Sequence, residues 1–159
     1  MARGIQAELK QTKPFSSIGE EASIAILRTA DQLQQQLVDL LKPYGLSPTQ
    51  FNALRILRGA GEVGLPCSDI GERMINHDPD ITRLLDRLEQ RDLVARQRDS
   101  NDRRVHVARI TKTGLDVLKG LDKPVEDFHR VTTAEVGDFN LKSLIRLLEK
   151  LRHSLQKSK

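Results

Sequence analysis

The sequence predicts a mainly α-helical fold that carries one small β-hairpin. Apolar residues recur at helical spacing over most of the chain, and residues that favour helix N-termini precede several of these runs. Two short, partly alternating runs, residues 93–98 and 105–110, flank a polar turn, as expected for a strand pair. The chain has 159 residues, which fits one domain or two small domains that share a core.

A long first helix is predicted after a polar N-terminal arm, residues 1–16. Ser17 and Glu20 have the spacing of a capping box, in which each side chain bonds a backbone N–H near the other residue. Apolar residues then recur as far as Leu41. Pro43 and Gly45 end this helix, because neither residue favours its continuation.

The second helix is predicted from Ser47, again with a capping box. Ser47 is the cap, Pro48 suits the first helical position because it has no N–H to leave unsatisfied, and Gln50 completes the box. Phe51 begins the buried face of this helix. The glycines at positions 59, 61 and 64 form a flexible connector after it.

Two short helices follow and are predicted to form a helix-turn-helix. Pro66 opens the first, and Gly71 lets the next helix approach closely because it has no side chain. The second helix is predicted over residues 79–91, with Asp78 as its cap. Its apolar residues share one side, so that Arg83 and other polar residues are left on the opposite side.

The middle of the chain uses only one kind of cation. Between Pro43 and Thr111 every positive side chain is Arg, and Lys returns at Lys112. Arg has a planar fork that pairs bidentately with a phosphate or a guanine edge, which Lys cannot do. A helix of this size followed by a hairpin with a basic turn, Asp-Arg-Arg at residues 102–104, fits the grooves of duplex DNA.

The C-terminal part is predicted to be helical. Thr111 caps one helix, which Pro124 is expected to kink or split. Thr132 and Glu135 have the spacing of a capping box for a last helix. The middle segment is too small to cover the apolar faces of both the first and the last helix.

These two apolar faces are therefore predicted to pack on each other and on a second copy of the chain, since two-fold dimers are the commonest oligomers. A helical cap on a monomer is the alternative. The predicted organisation is an arm, a dimerisation region at residues 17–43 and 112–157, and a DNA-binding winged helix-turn-helix domain at residues 44–111. The predicted dimer contacts are Ile24, Leu27, Leu121, Phe128, Leu144, Leu148, Leu151 and Leu155.

The composition argues against several other classes of protein. A net charge of +4 and a pI of about 9.4 are compatible with nucleic acid as a partner. Four Phe, one Tyr and no Trp argue against a reader of single strands, which needs aromatic stacking platforms. Cys67 is the single cysteine, and the N-terminus lacks a signal peptide, so the protein is expected in the reducing cytoplasm.

No cofactor, metal site or enzymatic activity is predicted. The sequence has no Gly-rich phosphate loop, nucleophile elbow or paired-carboxylate motif. A metal at His77, Asp78 and Asp80 is disfavoured, because the four histidines show no paired ligand spacing.

The motif Leu-Val-Ala-Arg, five residues, Asp-Arg-Arg (residues 93–104), followed by Ile-Thr-Lys-Thr-Gly (110–114), resembles the MarR family of bacterial transcription regulators. The resemblance covers about residues 17–155 and is most specific at residues 81–89 and 102–104. It implies a triangular dimer of winged helix-turn-helix lobes on a pseudo-palindromic operator, relieved by a small ligand or by oxidation. The chain departs from the family in an acidic start to the recognition helix, an uncapped helix after Pro66, and a first helix without cysteine.

The predicted DNA contacts lie in the helix-turn-helix and in the wing. Arg83 is predicted to read guanine, and one of Arg103 and Arg104 is predicted to enter the minor groove, where a narrow A·T tract concentrates negative potential. The alternatives are a solvated helix face and a solvated turn with weak ion pairs. The full predicted set is Ser68, Arg73, Asp80, Thr82, Arg83, Arg87, Arg96, Arg98, Asp102, Arg103 and Arg104.

The sequence thus predicts a homodimeric DNA-binding regulator, most simply a repressor, that a small lipophilic or phenolic effector releases. The effector is expected between the dimer helices and the DNA-binding lobe, and its contact residues are not predicted. One alternative is a dimeric winged helix that binds proteins. The other is a thiol sensor that uses Cys67, whose place near a helix N-terminus would lower its pKa.

Overall fold

The computed structural model describes residues 4–76, 80–100, 102 and 104–157. It confirms the predicted fold class, a mostly helical chain with a small antiparallel sheet. The helices are α1 (Ile5–Glu8), α2 (Ile18–Leu41), α3 (Pro48–Ala60), α4 (Cys67–Arg73), α5 (Ile81–Gln90), α6 (Lys112–Thr133) and α7 (Asp138–Lys157). The strands are β1 (Leu65–Pro66), β2 (Val94–Arg98) and β3 (His106–Ile110).

The sheet has the order β1-β3-β2, and both pairs are antiparallel. Strands β2 and β3 form the predicted hairpin, with Val94 opposite Ile110 and Arg98 opposite His106. The two-residue strand β1 was not predicted. It is too short to show alternation and contains Pro66, which cannot donate to a ladder, so only its pairing with β3 defines it.

Side-chain caps begin the two long helices of the N-terminal half. The Ser17 hydroxyl accepts from the backbone N–H of Glu20 at 3.1 Å, as predicted for α2. The Glu20 carboxylate, however, bonds the backbone N–H of Ser16 at 2.7 Å rather than that of Ser17. At α3 the predicted capping box between Ser47 and Gln50 is complete in both directions.

Helix α5 begins at Ile81 and has Asp80 as its cap, which corrects the predicted start at residue 79. The Asp80 carboxylate accepts from the backbone N–H of Arg83 at 3.1 Å, and this bond satisfies a donor that the helix itself leaves free. The predicted cap, Asp78, and the neighbouring Pro79 lie outside the described residues. A Cβ at Gly71 would lie 3.3 Å from Cγ1 of Ile81, which confirms the predicted close approach of α4 and α5.

The chain divides into two compact units, Met1–Val117 and Leu118–Lys159. In the first unit the core contains fully or almost fully buried side chains from α2, α3, α4, α5 and β2. Its largest members are Leu41, Leu54, Leu57, Ile70, Leu85, Leu88 and Val94. This core fixes which side of α5 faces inward and which side faces solvent.

Helix α6 runs through Pro124 without a break, so of the two predicted outcomes the split is wrong and the kink stays a prediction. Proline costs a helix one hydrogen bond, and burial of Leu121 and Val125 on either side offsets this loss. The predicted capping box at Thr132 is also wrong. Thr132 still belongs to α6, where its hydroxyl donates to the carbonyl of Phe128 at 2.8 Å, and α7 begins only at Asp138.

The predicted dimer contacts differ in how much surface they offer. Leu27, Leu144, Leu151 and Leu155 are exposed, with 69% exposure at Leu27, and no described residue of α7 is buried. Ile24, Phe128 and Leu148 are half-buried. Leu121 is fully buried within its own chain, so it has no surface for a partner, and the prediction of a dimer contact is wrong there.

At Gly114, in the first turn of α6, replacement by Ala is expected to destabilise the protein, whereas Gly→Ala inside a helix usually stabilises it. Gly→Ala inside a helix normally stabilises by about 1 kcal/mol. A Cβ at position 114 would overlap the carbonyl oxygen of Leu93 and lie 2.8 Å from Cγ1 of Ile110. Gly114→Ala is therefore expected to lower the free energy of unfolding by about 1–3 kcal/mol, as overpacking does. Urea unfolding would measure this, with Gly59→Ala in α3, where a Cβ would meet no atom within 4 Å, as the comparison. Equal or higher stability of Gly114→Ala would contradict the prediction.

Candidate nucleic-acid interface

Helix α5 presents two chemically different faces. Leu84, Leu85 and Leu88 are buried in the core, whereas Thr82 and Arg83 are exposed together with other polar residues. The Arg83 side chain is 80% exposed, and its Nε lies 3.3 Å from the Asp80 carboxylate. Such an exposed pair is weak and screened by salt, so the guanidinium can leave Asp80 for a stronger anion.

A cleft of about 330 Å³ lies where the start of α3 faces α5. Arg83 and Arg87 both line it, and among the lining residues that the structure describes Asp80 is the single acidic one. The other lining residues are Ser47, Thr49, Gln50 and Leu84. Two guanidinium groups with nearby hydroxyl donors match the bonding needs of a phosphate oxygen.

The wing turn between β2 and β3 is shaped by Asp102. Its carboxylate accepts from the backbone N–H of Arg104 at 3.0 Å, and its own N–H donates to the Asp99 carboxylate at 3.0 Å. The Arg104 side chain is 96% exposed, and Arg98 at the end of β2 is exposed as well. Arg103 lies outside the described residues, so its entry into the minor groove stays a prediction.

Arg96 differs from the exposed Arg98 and Arg104 because two carboxylates of α5 occupy its guanidinium. Its Nη2 lies 2.5 Å from the Asp86 carboxylate and 2.6 Å from that of Glu89, and its side chain is only 21% exposed. The hydrogen bond from Arg96 lowers the pKa of the Glu89 carboxyl, and the same bond raises the pKa of Arg96. These bonds favour a structural role for Arg96, which joins strand β2 of the wing to α5, over the phosphate contact that the sequence predicts.

The stability of this link is expected to depend on pH. A carboxyl group with a lowered folded-state pKa stabilises the fold above its unfolded pKa, about 4.3 for Glu. That stabilisation is lost as the pH falls through the lowered pKa of Glu89. Glu89→Gln should therefore flatten the fall in unfolding free energy between about pH 5 and pH 3. Urea unfolding across this range would test it, with Glu62→Gln as control, and an unchanged slope would refute it.

Arg96→Met should lower the free energy of unfolding near pH 7 by about 1 kcal/mol, since partly exposed ion pairs are worth about 0–1 kcal/mol each. Adding Asp86→Asn and Glu89→Gln to this variant should recover part of the lost unfolding free energy. The two carboxylates that had bonded Arg96 are then no longer present as charges without their cation. If the triple variant were no more stable than Arg96→Met, the carboxylates would not be the partners that matter.

The remaining predicted site residues lie on α4. Ser68 is exposed, and its hydroxyl donates to the Asp69 carboxylate at 3.0 Å. Arg73, in the last turn, is exposed and available to a phosphate. Helix α4 has no side-chain cap, as expected. Burial raises the pKa of the Cys67 thiol, although Arg96 acts in the opposite direction, so the premise of a lowered pKa at Cys67 is wrong.

Two polar contacts near the site were not predicted. The Asn52 side chain on α3 accepts from the backbone N–H of Ile75 at 3.0 Å and so holds the chain between α4 and α5. The Arg91 guanidinium, at the end of α5, donates to the carbonyl oxygens of Gly45 and Tyr44. Each contact joins residues more than twenty positions apart, for which local spacing gives no signal.

Neither a metal site nor a membrane-spanning helix is found in the described part of the chain. No group of three His, Cys, Asp or Glu side chains there is arranged to hold a metal ion. None of the helices described has an apolar stretch long enough to cross a bilayer.

Comparison with known proteins decides the family. Residues 46–106 match the model of the MarR family. The crystal structure of a MarR transcription factor from Planctomyces limnophilus is 37% identical, with a TM-score of 0.67, and the match covers 86% of this chain and 98% of that one. The chain belongs to the MarR family.

Two further proteins are similar to the chain. The HTH-type transcriptional regulator MhqR of Bacillus subtilis is 31% identical over 98 residues, which are 62% of this chain and 66% of that relative. The chain thus spans just under two thirds of that relative's length. The S. aureus MepR–DNA complex shares the fold, with a TM-score of 0.76 at 19% identity over 83% of this chain and 96% of that one. These relatives are regulators of transcription rather than enzymes.

Proposed function

We propose that the protein is a homodimeric, sequence-specific DNA-binding regulator of MarR type that acts in the cytoplasm as a repressor. The observation that carries this proposal is the exposed face of α5, where Arg83 and Arg87 project from a helix held by a fully buried apolar face. A helix that is rigid on one side and cationic on the other suits the major groove. Membership of a family of transcriptional regulators supports the same conclusion.

In this proposal the polar face of α5 reads base edges. Arg83 pairs with guanine, Thr82 contacts a thymine methyl group or a phosphate, and Asp80 keeps the helix capped. The Asp80 carboxylate continues to accept from the backbone N–H of Arg83 when the guanidinium turns to DNA, and the positive N-terminal end of α5 offsets part of its charge. Arg87 and Arg73 supply phosphate contacts that set the register of the helix.

The wing supplies a second contact with DNA. Arg98 and Arg104 are exposed cations on the hairpin, and Arg103 directly precedes Arg104 in the sequence. One of Arg103 and Arg104 enters the minor groove, where the potential is most negative in A·T tracts. Asp102 contributes by holding the backbone of the turn through the N–H of Arg104. Ser68 donates to a phosphate after it leaves Asp69.

In this proposal the two copies contact each other through exposed apolar side chains within residues 17–43 and 112–157. Residues 44–111 of each copy form its DNA-binding domain. Two α5 helices then lie in successive major grooves, so the operator is an inverted repeat with half-sites about one helical turn apart. A small lipophilic or phenolic effector releases the DNA. It does so by preferring a separation of the two lobes that mismatches the operator.

Titration of the protein with duplex DNA across a range of salt concentrations tests this function. Operators would first be selected from a random pool of duplexes, which reports symmetry, spacing and sequence together. Log affinity should then fall linearly with log salt, with a slope of about −0.9 for each phosphate neutralised. A slope near zero, with weak binding to every duplex, would instead favour a winged helix that binds proteins.

Single substitutions separate base reading from phosphate binding. Arg83→Ala and Arg103→Ala should each weaken binding to the selected operator by about 1–3 kcal/mol, or about five- to 160-fold. Arg83→Ala should also relax the choice of base at one position. Arg73→Ala, the matched comparison, should weaken binding to all sequences alike and reduce the salt slope by about 1. Unchanged affinity for Arg83→Ala would remove its assigned role.

A further inference from the structure

Two consecutive residues at the C-terminal end of α5, Arg91 and Asp92, bond to two different neighbouring segments. Arg91 is the C-cap of α5, and its guanidinium lies 2.5 Å from the carbonyl oxygen of Gly45 and 3.1 Å from that of Tyr44. These carbonyls end the 3-10 turn Lys42–Tyr44, which directly follows α2. A cation is favoured there because the last carbonyls of a helix carry partial negative charge.

The geometry of Gly45 fits this contact. Its φ of +63° lies in the left-handed region, which glycine adopts without strain and which turns the chain from α2 towards α3. A Cβ at Gly45 would lie only 3.4 Å from Nη2 of Arg91. The Arg91 side chain therefore lies directly against the backbone of the turn that follows α2.

Asp92 makes the corresponding contacts with the start of α6. Its carbonyl oxygen accepts from the Thr111 hydroxyl at 2.5 Å, and its carboxylate accepts from the Thr113 hydroxyl at 3.1 Å. The same Thr111 hydroxyl accepts from the N–H of Gly114 at 3.0 Å and so caps α6. Asp92 has a φ of +56°, a conformation that Asp tolerates better than most residues.

We infer that Arg91 and Asp92 are positioning residues that fix α5 relative to α2 and α6, and thereby set the half-site spacing that the dimer accepts. This inference rests on the proposed function, in which α2 and α6 belong to the dimerisation region and α5 reads DNA. In a two-fold dimer the distance between the two α5 helices follows from how each is held on its own dimer helices. Arg91 and Asp92 connect α5 to both of those helices within one protomer.

The role inferred for Arg91 differs from that of a residue that contacts DNA directly. The Arg91 guanidinium already donates to two carbonyl oxygens, so its removal should not change the number of phosphates that the protein neutralises. Removal should instead loosen the angle at which α5 is held. The expected result is a weaker preference for one spacing, with the contacts inside each half-site unchanged.

The test measures binding to duplexes that carry two selected half-sites at the preferred spacing, or at spacings one and two base pairs longer or shorter. The wild-type protein should favour one spacing. Arg91→Gln should reduce the affinity ratio between the preferred and the neighbouring spacing by about three- to tenfold. Its affinity for a single half-site and its salt slope should match those of the wild type. Asp92→Gly, which keeps the backbone conformation but removes the carboxylate, should act in the same direction.

Two comparison variants sharpen the test. Arg91→Lys keeps the charge but replaces the planar fork by a single nitrogen, which cannot occupy the positions of both Nη1 and Nη2. The affinity ratio of Arg91→Lys should therefore lie between those of the wild type and Arg91→Gln. Arg98→Gln, at a proposed phosphate contact, should lower the affinity at every spacing equally and reduce the salt slope. Thermal unfolding of each variant confirms that it is folded, and if Arg91→Gln does not fold, Arg91→Lys and Asp92→Gly decide the matter.

The possible outcomes separate this inference from the proposed function. If folded Arg91→Gln keeps the wild-type ratio of affinities between the preferred and the neighbouring spacing, the inference is overturned and the proposed function stands. If Arg91→Gln lowers half-site affinity and the salt slope, Arg91 is a phosphate contact and the inference is also overturned. If the wild type binds no duplex, the proposed function fails and this inference fails with it.

Discussion

Replacing Leu144 and Leu151 together by Glu is expected to turn the proposed dimer into a monomer at micromolar concentration. These side chains on α7 are 45% and 39% exposed in a single chain, and they lie among further exposed apolar residues of that helix. A carboxylate buried against a partner without a countercharge is strongly unfavourable. Loss of the dimer should weaken binding to the inverted repeat about a hundredfold or more, because the second half-site no longer binds at high effective concentration. Binding to a single half-site should be unchanged.

Sedimentation and duplex binding would be measured on the same preparations. Gln156→Glu, a charge change at an exposed position of the same helix, is the matched control and should remain dimeric. A double variant that stayed dimeric and bound the inverted repeat normally would exclude this part of α7 from the interface. A monomeric wild type would remove the dimer from the proposed function.

Leu85→Ala is expected to lower the free energy of unfolding more than replacement by Ala at any position on the exposed face of α5. Leu85 is fully buried, and truncation of a core Leu typically costs about 2–5 kcal/mol because a cavity is left behind. This is a large share of the stability of a typical domain, about 5–15 kcal/mol. The variant should unfold at lower urea concentration and lose DNA binding as its folded fraction falls.

Leu85→Met, which nearly conserves volume, should cost less than about 1.5 kcal/mol and keep DNA binding. Arg83→Ala on the opposite face should do the reverse of Leu85→Ala, with stability almost unchanged and operator affinity lowered. If Leu85→Ala were as stable as Leu85→Met, the packing of α5 on the core would be looser than its burial indicates.

Much of the fold was predictable because its signals are local. The capping box at Ser47 and Gln50, the cap at Ser17, and the period of buried leucines in α5 each lie within one or two helical turns. The hairpin was predicted for the same reason, since its two strands and its polar turn are adjacent in sequence. The polar face of α5 followed directly from the positions of its buried residues.

Features that depend on distant contacts were not predictable. Strand β1 exists only through its pairing with β3, and α6 continues past Pro124 although local propensity predicts a break. The same limit applies to the site. Arg96 looks like any other exposed cation in sequence, yet Asp86 and Glu89 occupy it, and Arg91 reaches carbonyls 46 and 47 positions away.

The exclusive use of Arg between Pro43 and Thr111 has a consequence for chemical modification. Acylating reagents convert lysine ammonium groups into neutral amides but leave guanidinium groups charged. The exposed cations of α5 and β2 would therefore survive complete acylation, while every charge lost would come from the arm, from Lys42, or from residues 112–159. Reagents that acylate lysine can therefore change the charge of residues 1–42 and 112–159, but they leave the charge of residues 43–111 unchanged.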